Sequence, residues 1–201
     1  EYVRTDEGWR KVCAAPYSAA AAAEEAEYAA PVCGSDFIEN DKIKVVFAPD
    51  GSIKSAFVKD ENFDYCGEYL NRLTVFTDPK LYYNAWDIRE DYRKLRTYPA
   101  KLVASRSYVD GPTAVMEQKY ELGKNSQAVQ KITVTAGDSA IDFRTGVDWK
   151  EDHKMLRAEF RPSVFGSKVN CDIQFGNIDR DTADATPVQK AQFEICAHKF
   201  V

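Results

Sequence analysis

Few residues in this chain could carry acid–base, metal or nucleophilic chemistry, and their spacing suits it poorly. There are two histidines, His153 and His198, and neither stands at metal-ligand spacing from another His or Cys. A zinc site would need both to converge with distant acids, so structural histidines are the stronger reading. No Ser or Cys lies in a nucleophile elbow or a comparable local signature, which leaves triad-type hydrolysis without a foothold. Asp179-Arg180-Asp181 with Asp184 offers oxygens to Ca²⁺ but lacks the glycine and terminal glutamate of a calcium loop. A solvated turn fits it better. Retaining glycoside hydrolysis needs two carboxylates about 5–5.5 Å apart. With 32 acids present, some pair always satisfies that distance, so it selects nothing. The densest binding chemistry is Leu81-Tyr82-Tyr83-Asn84-Ala85-Trp86-Asp87-Ile88. Aromatic faces there stand beside an amide and a carboxylate, the residue kinds that stack on sugars and bond their hydroxyls. Composition alone favours the other use, with Tyr83 and Trp86 in a core and Tyr82 and Asp87 closing a turn after Pro79.

Those residues must be positioned by a fold that the composition bounds. In 201 residues, 44% hydrophobic and 12% aromatic, there is material for a substantial core. The net charge of −5 argues against a nucleic-acid or anionic-membrane partner, either of which wants a basic face. No apolar run approaches the roughly 20 residues that span a bilayer. The opening Glu1-Tyr2-Val3-Arg4 has neither an initiator Met nor a signal-peptide pattern, so the chain is expected to come from the middle of a longer protein. Five scattered cysteines (Cys13, Cys33, Cys66, Cys171, Cys196) with no CxxC pair predict reduced thiols in a cytoplasmic protein. A Cys13–Cys33 disulfide is the competing reading.

The elements follow from hydrophobic period. Gly8 to Cys13 predicts a short strand with Trp9 buried, and Ser18 to Ala30 a connector of helical composition without an apolar stripe. Residues 1–36 are therefore an N-terminal strand and Ala-rich connector, and 37–201 a β domain. From Phe37 the period becomes two. Ile43, Val45 and Phe47 alternate with Lys44 and Val46, Pro49-Asp50-Gly51 turns the chain, and Ile53, Ser55 and Phe57 alternate with Lys54 and Ala56. A second hairpin is expected around Gly123-Lys124-Asn125-Ser126, joining Val115–Leu122 to Val129–Thr135. Ile141, Phe143, Val147 and Trp149 share one face, as do Cys171, Ile173 and Phe175. Many short alternating strands predict an all-β, antiparallel β-sandwich. On this reading Phe143→Asp unfolds the domain, and deleting the Ala tract leaves it folded.

Several tracts together resemble the C-terminal β-rich region of glycoside hydrolase family 38 α-mannosidases, the cytosolic and bacterial branch. They are Phe37-Ile38-Glu39-Asn40 with Asp50-Gly51-Ser52-Ile53; Asn71-Arg72-Leu73 with Phe76-Thr77-Asp78-Pro79; and Asn84-Ala85-Trp86-Asp87. Asp148-Trp149, Glu151 and His153-Lys154 form a fourth, and Ile173-Gln174-Phe175-Gly176, Arg180, Phe193-Glu194 and Ala197-His198-Lys199 a fifth. The chain departs from the family pattern at Asn84, at Asp181-Thr182 and at Ala185-Thr186-Pro187-Val188.

The resemblance implies a non-catalytic β-sandwich, truncated at its C-terminus, of a retaining, zinc-dependent enzyme hydrolysing terminal α-mannosyl residues of oligosaccharides. The nucleophile and Zn²⁺ would lie in a missing catalytic domain against which this region packs; the chain itself supplies no cofactor and no catalytic residue. It also implies a cleft rim at Asn71, Arg72, Tyr82, Trp86 and Asp87. Strands left uncovered by truncation predict dimer formation through exposed edges. The alternative is a stand-alone carbohydrate-binding or adhesive module.

Overall fold

A computed structural model describes residues 2–6, 8–11, 27–79, 88–183, 185–191, 194–195, 197 and 199–200. The strands run β1 (Tyr2–Arg4), β2 (Trp9–Lys11), β3 (Glu27–Tyr28), β4 (Val32–Gly34), β5 (Phe37–Glu39), β6 (Ile43–Phe47), β7 (Ile53–Val58) and β8 (Phe63–Asp64). They continue as β9 (Cys66–Thr77), β10 (Thr97–Pro99), β11 (Lys101–Asp110), β12 (Thr113–Glu121), β13 (Gln127–Thr135), β14 (Asp142–Asp148), β15 (Lys154–Pro162), β16 (Lys168–Ile173) and β17 (Gly176–Asp181). A 3₁₀ turn at Tyr92–Lys94 and a short helix α1 (Pro187–Ala191) are the helical elements among the described residues. The protein is all-β and antiparallel throughout. The Ala-rich connector lies mostly outside the described residues.

The chain divides into two units, Glu1–Ser163 and Val164–Val201. The first is a sandwich of an eight-stranded sheet, ordered β10-β9-β7-β6-β5-β4 with β15 on β9 and β8 on β7, and a four-stranded meander β11-β12-β13-β14. A small β1-β2-β3 sheet accompanies them. Alternation explains β6, where Ile43, Val45 and Phe47 are buried while Lys44 and Val46 are not. Those residues join Ile38, Ile53, Ala56 and Leu70 on one sheet to Ala114, Met116, Ile132 and Val134 on the other. A second cluster of Leu73, Val75, Ala100, Tyr120, Leu122 and Ala128 extends the core. In the second unit, β16 and β17 form a hairpin. Asp172 is buried there because its carboxylate accepts the backbone N–H groups of Lys199 and Phe200.

Polar side chains fasten the two sheets. Asn40 donates to the Thr135 and Asp138 carbonyls at 2.5 and 2.7 Å, while its own carbonyl holds the Lys42 and Ile43 amides. The Asp50-Gly51 turn places the Gly51 carbonyl 3.0 Å from Gln118 Nε2, and Tyr120 donates to Gln118 Oε1 at 2.7 Å. Gly51 has φ +87°, and a Cβ there would stand 2.2 Å from the Tyr120 hydroxyl. Glycine is required on both counts.

Three sequence expectations are corrected. Ala56, not Phe57, faces the core, because a bulge between Val46 and Phe47 shifts the pairing with β7 by one residue and exchanges its faces. Phe175 is fully exposed rather than inward, since it occupies the two-residue turn between β16 and β17 at φ +62°. Phe143 and Val147 do lie on the inner face, opposite buried Ile132 and Ala128. They remain 37% and 44% exposed, however, because β14 is an edge strand that the facing sheet covers only in part. Cys33, Cys66 and Cys171 carry free thiols, so Cys33 makes no bridge.

Two measurements check this architecture. Ile132→Ala should cost about 3 kcal/mol in urea unfolding, whereas Phe143→Asp should cost about 1 kcal/mol, chiefly the edge-to-face contact with Phe160, and leave folding cooperative. The second concerns Tyr120, whose phenol is pushed well above its usual pKa by burial first and by the Asp50 charge second. The unfolded phenol ionises near pH 10 while the folded one keeps its proton. Stability is therefore full below about pH 10 and falls as pH rises, at ~1.4 kcal/mol per unit from this group. Unfolding at pH 8 and pH 11 should show that slope smaller by about one proton in Tyr120→Phe.

Candidate functional site

The site is set by an irregularity in β9. Asn71 sits in the middle of this strand at φ +53°, a left-handed conformation that asparagine tolerates better than most residues. The pairing with β15 slips at the same place, Arg72 opposite Glu159 but Tyr69 opposite Arg161, so β9 carries one extra residue. A β-bulge of this kind redirects side chains. Leu70 and Asn71 both turn inward, Leu70 into the core and Asn71 onto Gln130 of the facing sheet at 2.8 Å. Tyr69 and Arg72, three residues apart, are thereby brought together on the outer face, with the Arg72 guanidinium 3.6 Å from the Tyr69 ring centroid.

From that point β9 presents Arg72, Thr74 and Phe76 outward, and β15 adds Arg157, Glu159 and Arg161. With Tyr92, Arg93 and Thr97 they line an open groove of about 570 Å³, within the usual size of a ligand pocket. Tyr92 is buried, packs edge-on to Phe76 at 5.4 Å, and accepts hydrogen bonds from Arg93 Nε at 2.9 Å and from Arg157 Nη1. Arg72 Nη2 donates to Tyr69 Oη at 2.5 Å and to Glu159 Oε2 at 3.3 Å. Glu159 also accepts from Thr74 Oγ1. Arg161 stands 5.3 Å from the Tyr69 ring centroid and pairs with Glu68 at 2.7 Å. Both guanidiniums thus rest against the Tyr69 ring, whose attraction helps to order them along the groove.

The chain matches the model of the glycosyl hydrolases family 38 C-terminal domain over residues 38–201. It belongs to that family. It is 31% identical over 175 residues to Alpha-mannosidase G of Dictyostelium discoideum, covering 83% of this chain and 16% of that protein. It is 29% identical over 173 residues to Alpha-mannosidase 2C1 of Homo sapiens, covering 84% and 16% respectively. The yeast Alpha-mannosidase of Saccharomyces cerevisiae is 25% identical over 197 residues. The chain thus spans 16% of the length of the relatives it matches best among these.

Within this family 38 domain, the two sequence-predicted rim residues that are described face opposite sides of β9. Arg72 faces the groove, but Asn71 is buried and committed to Gln130, on the opposite side of the strand. Tyr82, Trp86 and Asp87 lie outside the described residues. Motif residues after β14 serve the fold. The Glu151 carboxylate accepts the Asn125 amide at 3.0 Å and the Ser126 hydroxyl at 3.3 Å, bonds led by Asn125 that hold it below its usual pKa. Trp149 packs on the core, and the His153 carbonyl accepts the Asp78 amide in a left-handed turn. His198 lies outside the described residues. Among the described residues, no three His, Cys, Asp or Glu side chains converge on a metal position.

The β15 half of the groove was missed in sequence, although Arg157-Ala158-Glu159-Phe160-Arg161 is a charged period-two run that could have found it. The bulge supplies a test. Asn71→Ala should cost about 3 kcal/mol, combining left-handed strain with an amide partner left unbonded. Asn71→Gly should cost about half as much, since only the hydrogen bonds are lost. Chemical denaturation of both variants decides between a backbone role and a purely polar one.

Proposed function

We propose that this chain is the non-catalytic β-sandwich of a retaining, zinc-dependent α-mannosidase that removes terminal α-mannosyl residues from oligosaccharides. The supporting observation is the family 38 C-terminal domain match over residues 38–201 together with relatives named α-mannosidases, of which the chain spans a small part. In this reading the nucleophile and the metal belong to a separate domain of the parent. The sandwich supplies a stiff surface for that domain, and Arg72, with the segment carrying Tyr82, Trp86 and Asp87, edges the sugar cleft. The free thiols at Cys33, Cys66 and Cys171 suit a reducing compartment, which supports a cytoplasmic setting.

The experiment compares the parent protein with the isolated 201-residue chain. The parent should hydrolyse an aryl α-mannoside, release the α-anomer of mannose first by NMR, and lose activity on chelation with recovery by Zn²⁺. The isolated chain should show no turnover with or without added metal. Turnover by the isolated chain, or a parent inert towards α-mannosides, would overturn the reading.

A further inference from the structure

Arg72 is the cation of the outer groove that has a buried donor without an acceptor among the described residues. Both of its hydrogen bonds leave from Nη2, and its Nε is enclosed with no acceptor among the described residues. A guanidinium carries five donors in a planar fork, so a half-used fork in a recess is unusual. Its surroundings make the shortage pointed. Among the described residues the groove is lined by four guanidiniums, those of Arg72, Arg93, Arg157 and Arg161, and by a single carboxylate, that of Glu159. This stands out in a chain of net charge −5. The cations are also held in place beforehand: Arg72 and Arg161 rest against the Tyr69 ring, while Arg93 and Arg157 bond the buried Tyr92 hydroxyl. Prior ordering of long side chains removes an entropic cost that binding would otherwise carry.

The acceptor such a fork matches is an oxyanion with several equivalent oxygens, which planar guanidiniums grip through paired hydrogen bonds. A carboxylate offers two oxygens, whereas a phosphate monoester offers three and close to two negative charges at neutral pH. We infer that the groove between β9, β15 and the Tyr92–Lys94 turn binds a phosphate monoester group, with Arg72 as its primary ligand and Glu159 as the internal counter-charge that the phosphate displaces. The inference rests on the groove alone and stands or falls separately from mannosidase activity in the parent.

Three probes test it on the 201-residue chain by calorimetry at pH 7 in low salt: inorganic phosphate, mannose 6-phosphate and uncharged mannose. Phosphate-bearing probes should bind and mannose should not. Tighter binding of the sugar phosphate assigns the group to a phosphorylated saccharide; equal binding assigns it to free phosphate. Arg72→Gln should weaken binding roughly tenfold or more, the usual effect of losing a hydrogen bond to a charged group. Glu159→Gln keeps an acceptor for Thr74 and removes the competing negative charge, so it should bind several-fold tighter. Thermal midpoints read alongside show whether each variant is folded. Failure of both phosphate probes to bind at millimolar concentration would overturn the site, as would unchanged affinity in a folded Arg72→Gln.

Discussion

Two glutamines are buried deep in a largely apolar sandwich, and the bonds that satisfy them tie its parts together. Gln118 and Gln130 face each other across β12 and β13 on the inner side of the four-stranded sheet. Each is about 1% exposed, too deep for water to serve as partner. A buried amide without partners costs about 1–3 kcal/mol, so both must be bonded, and each takes one partner from across the sandwich and one from its own sheet. Gln118 finds the Gly51 carbonyl and Tyr120; Gln130 finds Asn71 and Thr145. Apolar faces can slide over one another at little cost, but these bonds cannot. They fix the register of one sheet on the other.

The outer groove follows from the inner bond. Asn71 reaches Gln130 only because β9 carries an extra residue there, and that residue turns Arg72 outward beside Tyr69. A polar requirement of the core thus sets the geometry of a surface site on the far side of the strand. The coupling has an energetic logic as well. The left-handed residue is strained, and the strain is offset by a buried amide pair in surroundings of low dielectric, where such bonds are strongest.

How much of this was readable depends on local burial. β6, β12 and β13 alternate because one face meets the core and the other meets water, and that period shows in the sequence. β9 hides it. Through its middle the strand is covered on both sides, so Leu70, Asn71, Leu73, Thr74, Val75 and Phe76 give no alternation to read. Phe143 shows the opposite limit: its face was legible, its exposure was not, since an edge position is a property of the whole sheet. Phe57 and Phe175 were misplaced by a bulge and by a two-residue turn, each displacing a side chain by one step. The Asp50-Gly51 turn was readable because its glycine answers a local need, although the Tyr120 hydroxyl that fills the space lies far along the chain. Asn71 and Arg72 were singled out as neighbours serving one purpose; the pleat sends successive strand residues to opposite sides, so only Arg72 faces the groove.

The pairing of β9 with β15 also orders events in time. Arg72 and Glu159 are 87 residues apart in sequence, and the meander β11–β14 lies between them. Its hairpins join neighbouring segments and close over short loops, whereas β15 can dock on β9 only after a long loop has been drawn together. Contacts of such sequence separation are slow to form and tend to come late. The arginine groove is therefore among the last surfaces a newly made chain acquires, and its presence reports that the whole sandwich has closed.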